Sequence, residues 1–275
     1  MTQCLFFVDK PQVGAWNMAM DEFCALCAEK ENLPILRLCR WETPFLSLGY
    51  FQRYQDYEEH SLSGMFPVVR RPSGGGAILH YREWTYSISL PSGYLPSGDR
   101  LWLYRTAHQT LATWIESLGL EPEIIAESPP PCAKNKESCP FLCFERRAVG
   151  DVVVCAASDS DFNRHCGKGT TSKPKVVGSA QRRYRNAILQ HGSVLMAQTP
   201  LGPELPGILE LLADAGIKVK YPELLDSFLS RWPTILAQTL GWELIPWIPP
   251  VGETSEFAQL CAKFVSREWT HKSSS

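Results

Sequence analysis

A chain of 275 residues that is 44% apolar and 20% charged has the balance of a folded globular protein, which excludes disordered, collagen-like and coiled-coil chains. Its formal net charge of −2 argues against a general nucleic-acid binder, because such proteins gain affinity mainly by neutralising phosphates. No window approaches the roughly 20 apolar residues of a membrane span, and the opening MTQCLFFVDKPQ lacks a basic leader and a small-residue cleavage site, so a cytoplasmic protein with no membrane partner is expected.

The first periodic segment runs from Trp16 to about Glu31, where Met20, Phe23, Cys24 and Cys27 form the apolar stripe of a helix. Cys24 and Cys27 make a CxxC pair, yet helical spacing puts both on one face, so packing is expected there rather than redox chemistry. Residues 35–41 and 45–50 read as strands around Glu42-Thr43-Pro44, and residues 67–71 and 77–80 as strands flanking Gly74-Gly75-Gly76. From Trp84 to Leu90, apolar side chains alternate with Thr85, Ser87 and Ser89, the period of a half-buried strand. A helix follows from about Arg100 to Leu118, with Gly119 as its C-cap. Residues 151–154, 175–177 and 187–196 add strands.

Beyond about residue 200, three helical stretches are broken by Pro and Gly, and WELIPWIPPVG connects the last two. The organisation expected is an α+β catalytic domain over 1–200, with a mixed central sheet flanked by helices. A mostly helical appendage over 201–275 packs on it. Residues 128–140 and 155–174 read as long loops, of a length that usually carries function or disorder. The ten cysteines are scattered along the chain, which is not the pattern of a small disulfide scaffold.

Two segments carry chemistry. In Arg70-Arg71-Pro72-Ser73-Gly74-Gly75-Gly76-Ala77, three consecutive glycines are costly in conformational entropy. They also let a ligand lie against the backbone, whose N–H groups can form an anion-binding concavity. The run is neither a Walker A loop nor G-x-G-x-x-G, and a structural turn is the competing reading. In Lys175-Val176-Val177-Gly178-Ser179-Ala180-Gln181-Arg182-Arg183, small residues after the lysine leave room for a substrate beside its ammonium. Such a cation suits holding an oxyanion or favouring a nearby thiolate. His191, in Leu189-Gln190-His191-Gly192-Ser193, reads first as a satisfied core histidine.

RRPSGGGAILH, KVVGSAQRR and LQHGSVL, in this order, resemble the biotin/lipoate protein ligase and lipoyl-transferase catalytic domain. NMAMDE at 17–22 and Ser266-Arg267-Glu268-Trp269 are similar to that family's terminal segments. The resemblance covers residues 12–200 strongly and the remainder loosely. It implies an α+β fold whose central sheet encloses a lipoyl or octanoyl chain. It also implies a substrate site made by Arg70, Arg71, Ser73, Gly74, Gly75, Gly76, Ala77 and His80 on one segment, with Gly178, Ser179, Ala180, His191 and Gly192 on the other.

Cys143, in Pro140-Phe141-Leu142-Cys143-Phe144-Glu145, resembles the nucleophile of the Cys-Phe type of octanoyltransferase. The implied reaction moves octanoyl from acyl carrier protein to the lysine of a lipoyl carrier, either a glycine cleavage H protein or a lipoyl domain of a 2-oxoacid dehydrogenase. Cys143 would carry the chain as a thioester, and Lys175 would stabilise the thiolate or the oxyanion. Thioester-to-amide transfer runs downhill, so no cofactor or metal is expected, and a monomer is the default. Burying about seven methylene-type groups at ~0.8 kcal/mol each supplies roughly 5–6 kcal/mol of chain recognition. Arg70, Arg71, Arg182, Arg183 and Arg185 form positive clusters suited to steering acidic carriers.

Two features depart from the Cys-Phe pattern: Gly76 stands where such loops often have arginine, and the 155–174 insertion replaces a short turn. The nearest alternative is an ATP- and Mg²⁺-dependent lipoate–protein ligase, in which Lys175 contacts the acyl-adenylate and Cys143 is a bystander. A more remote one is a metal-binding or redox module drawn from Cys132, Cys139, Cys143, Cys155, His165 and Cys166. A third is a binding protein that keeps the fold without catalysis.

Overall fold

The computed structural model describes residues 1–96, 99, 101–127, 140–155, 173–199, 202, 205–252 and 255–272. In chain order, the first half comprises β1 (Thr2–Val8), α1 (Gly14–Glu31), β2 (Ile35–Cys39), β3 (Phe45–Leu48), α2 (Tyr54–Glu58), β4 (Val68–Arg70), β5 (Ile78–His80), β6 (Glu83–Pro91) and α3 (Trp102–Glu116). The second half comprises β7 (Pro122–Ile124), β8 (Val152–Val154), β9 (Lys175–Arg183), β10 (Ala187–Leu195), α4 (Ile208–Asp214), α5 (Tyr221–Leu240), β11 (Trp242–Pro246), α6 (Ser255–Val265) and α7 (Arg267–Thr270).

Eight strands form the main sheet in the order β11-β1-β2-β6-β10-β9-β8-β7, and β4-β3-β5 form a small second sheet. The main sheet is mixed, since β1 runs parallel to both β2 and β11 while β2, β6, β10, β9, β8 and β7 pair antiparallel. The α+β architecture with a mixed sheet flanked by helices is therefore what the molecule adopts.

One face of the sheet carries Trp84, Tyr86, Ile88 and Leu90, which pack with Trp114 of α3 and with Phe228 and Trp232 of α5. The other face lies under α1, whose Met18, Met20 and Phe23 pack in turn against Phe257, Leu260 and Phe264 of α6. Both faces of β6 are thus covered, and all nine of its residues are buried rather than half of them. Thr85, Ser87 and Ser89 line the side toward α1, where burial of short hydroxyls leaves space above the sheet.

The segment read as a connection, WELIPWIPPVG, contains β11, which pairs in parallel with β1 from Thr2↔Trp242 to Phe6↔Pro246. Its prolines hide it in the sequence, and Pro is tolerated because β11 is an edge strand. β1, α2 and β7 also have no counterpart in the sequence reading. Helix α5 runs through Pro233, in line with the single helical stretch read there, because Phe228, Trp232 and Leu236 bury one stripe along it. Gly241, at φ 66°, closes that helix in the left-handed region that glycine favours. Residues beyond 205 therefore supply an edge strand of the main sheet and side chains to both large cores.

Among the described residues, no helix is long and apolar enough to cross a membrane. Cys24 is buried in the core beneath α6 with Cys27 packed beside it, and burial pushes the Cys27 thiol up to about 11.

Candidate active site

Lys175 opens β9 and is buried, which requires a counter-charge for its ammonium. Asp151, immediately before β8, supplies it: the Lys175 Nζ lies 2.8 Å from Asp151 Oδ2. The Ala148 N–H donates to the same oxygen at 2.7 Å. Burial pushes the Asp151 carboxyl above the usual range, against the pull of the Lys175 charge and hydrogen bond. The remaining Lys175 hydrogens reach Cys143, with Nζ 3.6 Å from Sγ and 3.3 Å from the backbone oxygen. The ammonium also lies 5.4 Å from the centre of the Phe144 ring. Cys143 is a half-exposed free thiol.

Cys143 begins a short 3-10 turn, Cys143–Glu145, that is stitched to the glycine segment. Its N–H donates to the Ala77 carbonyl at 2.7 Å, and the Ala77 N–H donates to the Phe141 carbonyl at 3.0 Å. A Cβ at Gly76 would meet the Cys143 nitrogen and the Phe141 oxygen at 3.0 Å. Gly76 thus makes room for the turn that presents the thiol, a packing reason for glycine whichever reaction the site performs.

Cys143 opens onto a cavity of about 430 Å³, part of it open to solvent. Arg71, Gly74, Gly75, Ile78, His80 and Ser47 line one side of it. Gly178, Ser179, Ala180, His191, Gly192, Ser193 and Thr85 line the main-sheet side, with Met18 from α1. Arg71 donates to the carbonyls of Ser47, Gly74 and Gly76 at 3.1, 2.7 and 2.6 Å, so its buried guanidinium holds the glycine loop in shape. Burial lowers Arg71 to about 10. Gly75 adopts φ 95°, where other residues are strained.

His191 bonds Ser73 through Nε2 and Asp21 Oδ2 through Nδ1, the latter at 2.8 Å, tying the loop to α1. Burial alone would raise the Asp21 carboxyl, but the His191 hydrogen bond and the Arg37 charge outweigh it and hold it below the usual range. His80 donates from Nδ1 to Glu83, accepts from the Ser47 hydroxyl at Nε2 and stacks on Trp41 at 3.7 Å. Behind Ser179, His108 donates from Nδ1 to the Gly150 carbonyl and accepts from the Ser179 hydroxyl at 2.6 Å.

The residues singled out in the sequence separate into two groups. Arg71, Gly74, Gly75, His80, Cys143, Gly178, Ser179, Ala180, His191 and Gly192 face the cavity, with Lys175 against Cys143 at its edge. Ser73, Gly76 and Ala77 support it from behind. Arg70 does not line it: its guanidinium donates to the carbonyls of Gly49, Tyr50, Gln52 and Thr270. Arg70 and Arg71 are both buried, so neither belongs to an exposed positive cluster. Arg183 and Arg185 are exposed, and Arg182 lies 5.2 Å over the Tyr50 ring.

Sequence reasoning missed Asp151, Ser47, Ile78, Thr85, Ser193 and Met18. The one available signal was an acidic residue directly before the buried run Val152–Val154. Of the cysteines and histidine considered for metal, Cys132, Cys139, His165 and Cys166 lie outside the described residues. Among the described residues, no three His, Cys, Asp or Glu side chains gather closely enough to hold a metal ion.

Residues 14–201 match the family described as lipoyl protein ligase A/B catalytic domain. Octanoyltransferase LipM of Kyrpidia tusciae is 30% identical over 94% of this chain and 95% of its own length. Octanoyltransferase LipM of Carboxydothermus hydrogenoformans is 38% identical over 66% of this chain and 61% of its own. Protein Ta0514 of T. acidophilum, solved with bound lipoic acid, superposes with a TM-score of 0.65 at 18% identity, over 98% of this chain and 99% of that one. The sheet, its flanking helices and the cavity above it are therefore those of a member of the lipoyl protein ligase A/B catalytic domain family, to which this chain belongs.

Proposed function

We propose that the protein is an octanoyltransferase working through a thioester on Cys143. The observation that carries this reading is the placement of the Lys175 ammonium 3.6 Å from the Cys143 sulfur at the edge of the cavity. A ligase that activates a free acid with ATP has no need of that thiol. Relatives named octanoyltransferase support the same reading.

In the proposed sequence, the Cys143 thiolate attacks the octanoyl thioester of acyl carrier protein. The C–S bond to the carrier breaks, and the departing carrier thiolate takes a proton from the Lys175 ammonium. The acceptor lysine of a lipoyl carrier then attacks the Cys143 thioester as a free amine and forms the amide. Its surplus proton passes to Lys175, and Cys143 leaves as a thiolate beside the restored ammonium. Asp151 keeps the Lys175 head group in place through both halves. Splitting the transfer into two steps lets carriers of different shape use one cavity in turn.

The scheme calls on no cofactor, and a monomer is the state we assign it. Arg182, Arg183 and Arg185, at the end of β9 and in the turn after it, are cations that could steer acidic carriers. The ATP-dependent ligase alternative drew on Gly76, which the Cys143 turn explains without reference to either reaction.

Intact mass after incubation with octanoyl-acyl carrier protein, without ATP, tests the proposal. One hydroxylamine-sensitive octanoyl adduct, absent from Cys143→Ala, is expected. No adduct, with transfer appearing only when lipoate, ATP and Mg²⁺ are supplied, would make the protein a ligase.

A further inference from the structure

Strand register orders the floor of the cavity. Gly178 on β9 pairs with Ser193 on β10, Ser193 pairs with Thr85 on β6, and Thr85 pairs with Cys39 on β2. Residues paired directly across neighbouring strands share a face, so Gly178, Ser193 and Thr85 form one row across the sheet. All three line the cavity, and their side chains grow along the row from Gly to Ser to Thr.

The row starts beneath Lys175, beside the nucleophile. A Cβ at Gly178 would sit 2.8 Å from the Lys175 Nζ, which itself lies 3.6 Å from the Cys143 sulfur. It ends at a wall. The Trp41 indole donates to the Thr85 hydroxyl at 2.9 Å, and the Thr85 hydroxyl donates to Glu83 Oε1 at 2.7 Å. The Ser193 hydroxyl donates to the same oxygen at 3.1 Å, and His80, stacked on Trp41, donates to it as well. Thr85, Glu83, Trp41 and His80 are all buried. Three donors converge on Glu83 Oε1, while Oε2 of the same buried carboxylate has no partner, so it is the shared oxygen that ties the wall together. Two inter-strand spacings put Thr85 roughly 9–10 Å across the sheet from Gly178.

We propose that this wall, Thr85 backed by Trp41 and His80, is the ruler that sets the acyl chain length accepted at Cys143. The inference rests on the transferase reading and adds to it the residues that choose the chain. An acyl chain attached to Cys143 passes Lys175, runs over Ser193 and stops at Thr85. A longer chain has to displace the indole and break the hydrogen bonds gathered on Glu83. A shorter chain leaves the apolar space before the wall unfilled.

Rates of Cys143 acylation, read by intact mass with hexanoyl, octanoyl, decanoyl and dodecanoyl acyl carrier protein, test the ruler. The wild type should prefer octanoyl over decanoyl by roughly tenfold or more. Thr85→Ala lowers the wall and should shift the preference toward decanoyl. Ser193→Val raises the floor midway and should shift it toward hexanoyl, so the test survives if Thr85→Ala fails to fold. Acylation of the wild type at Cys143 with profiles unchanged in the folded variants overturns the ruler and leaves the transferase standing. No acylation at any chain length removes the transferase reading and the ruler with it.

Discussion

Gly178 lies so close under Lys175 that a Cβ there would sit 2.5 Å from the lysine Cε and 2.8 Å from its Nζ. The small residue three positions after the lysine is therefore what lets the ammonium settle between Asp151 and Cys143. Gly178→Ala is expected to push the ammonium aside and lower kcat by roughly 10²-fold, as misplacing a reacting group by about an ångström does. Circular dichroism and thermal melting should show the fold retained. Unchanged turnover in the folded variant would separate Lys175 from the chemistry.

The ion pair between Lys175 and Asp151 makes a second, graded prediction. Lys175→Met removes the cation beside the sulfur and should slow Cys143 acylation by roughly 10²–10³-fold. Asp151→Asn keeps the shape and the acceptor oxygen but leaves the ammonium without a counter-charge. Its alkylation of Cys143 by iodoacetamide at pH 7 should be slower than wild type and faster than Lys175→Met. Equal rates in all three proteins would count against the pairing as the source of thiol reactivity.

His108 should make stability depend on pH. Burial lowers it from the ordinary 6.5 to about 4, although the Gly150 carbonyl pulls the other way. The unfolded chain binds a proton near pH 6.5, while the folded protein resists it until about pH 4. Stability present above pH 6.5 is therefore lost as pH falls, and the loss is complete below about pH 4. The full effect is ~3 kcal/mol, and about 2 kcal/mol of it should appear between pH 7 and pH 5. Urea unfolding at those two pH values should show that component in the wild type and lack it in His108→Gln.

Arg70 should behave as a structural residue although it sits beside the glycine run. Arg70→Leu strips the donors from four backbone carbonyls and should destabilise the fold by about 2–4 kcal/mol, measured by urea denaturation. Turnover per folded molecule should stay within about twofold of wild type, since the side chain does not line the cavity. A large rise in KM for the carrier, with stability unchanged, would reverse that assignment.

Local order in this chain is readable where it depends on sequence neighbours. The apolar stripe of α1, the alternation of β6 and the run Gly74-Gly75-Gly76 each follow from spacing or residue type within a dozen positions. Lys175 and the small residues after it also read as a ligand-facing strand, and the order of the three motifs pointed to the family. The edge strand β11 was illegible because its prolines resemble a linker. Only its pairing with β1, some 240 residues earlier, makes it a strand.

The site itself was assembled by tertiary structure. Cys143 and Asp151 lie in one stretch and Lys175 in another, and their ion pair and thiol contact exist because β8 and β9 align next to the turn at Cys143. Arg70 and Arg71 are adjacent in sequence, yet one ties down a distant turn and the other shapes the cavity. The row from Gly178 through Ser193 to Thr85 is likewise a product of register between strands far apart in the chain. Side-chain type and local periodicity were written in the sequence. Which buried charges meet, and where the cavity ends, was decided by strand alignment, because electrostatic pairing and steric limits act over a few ångströms in space and are indifferent to separation along the chain.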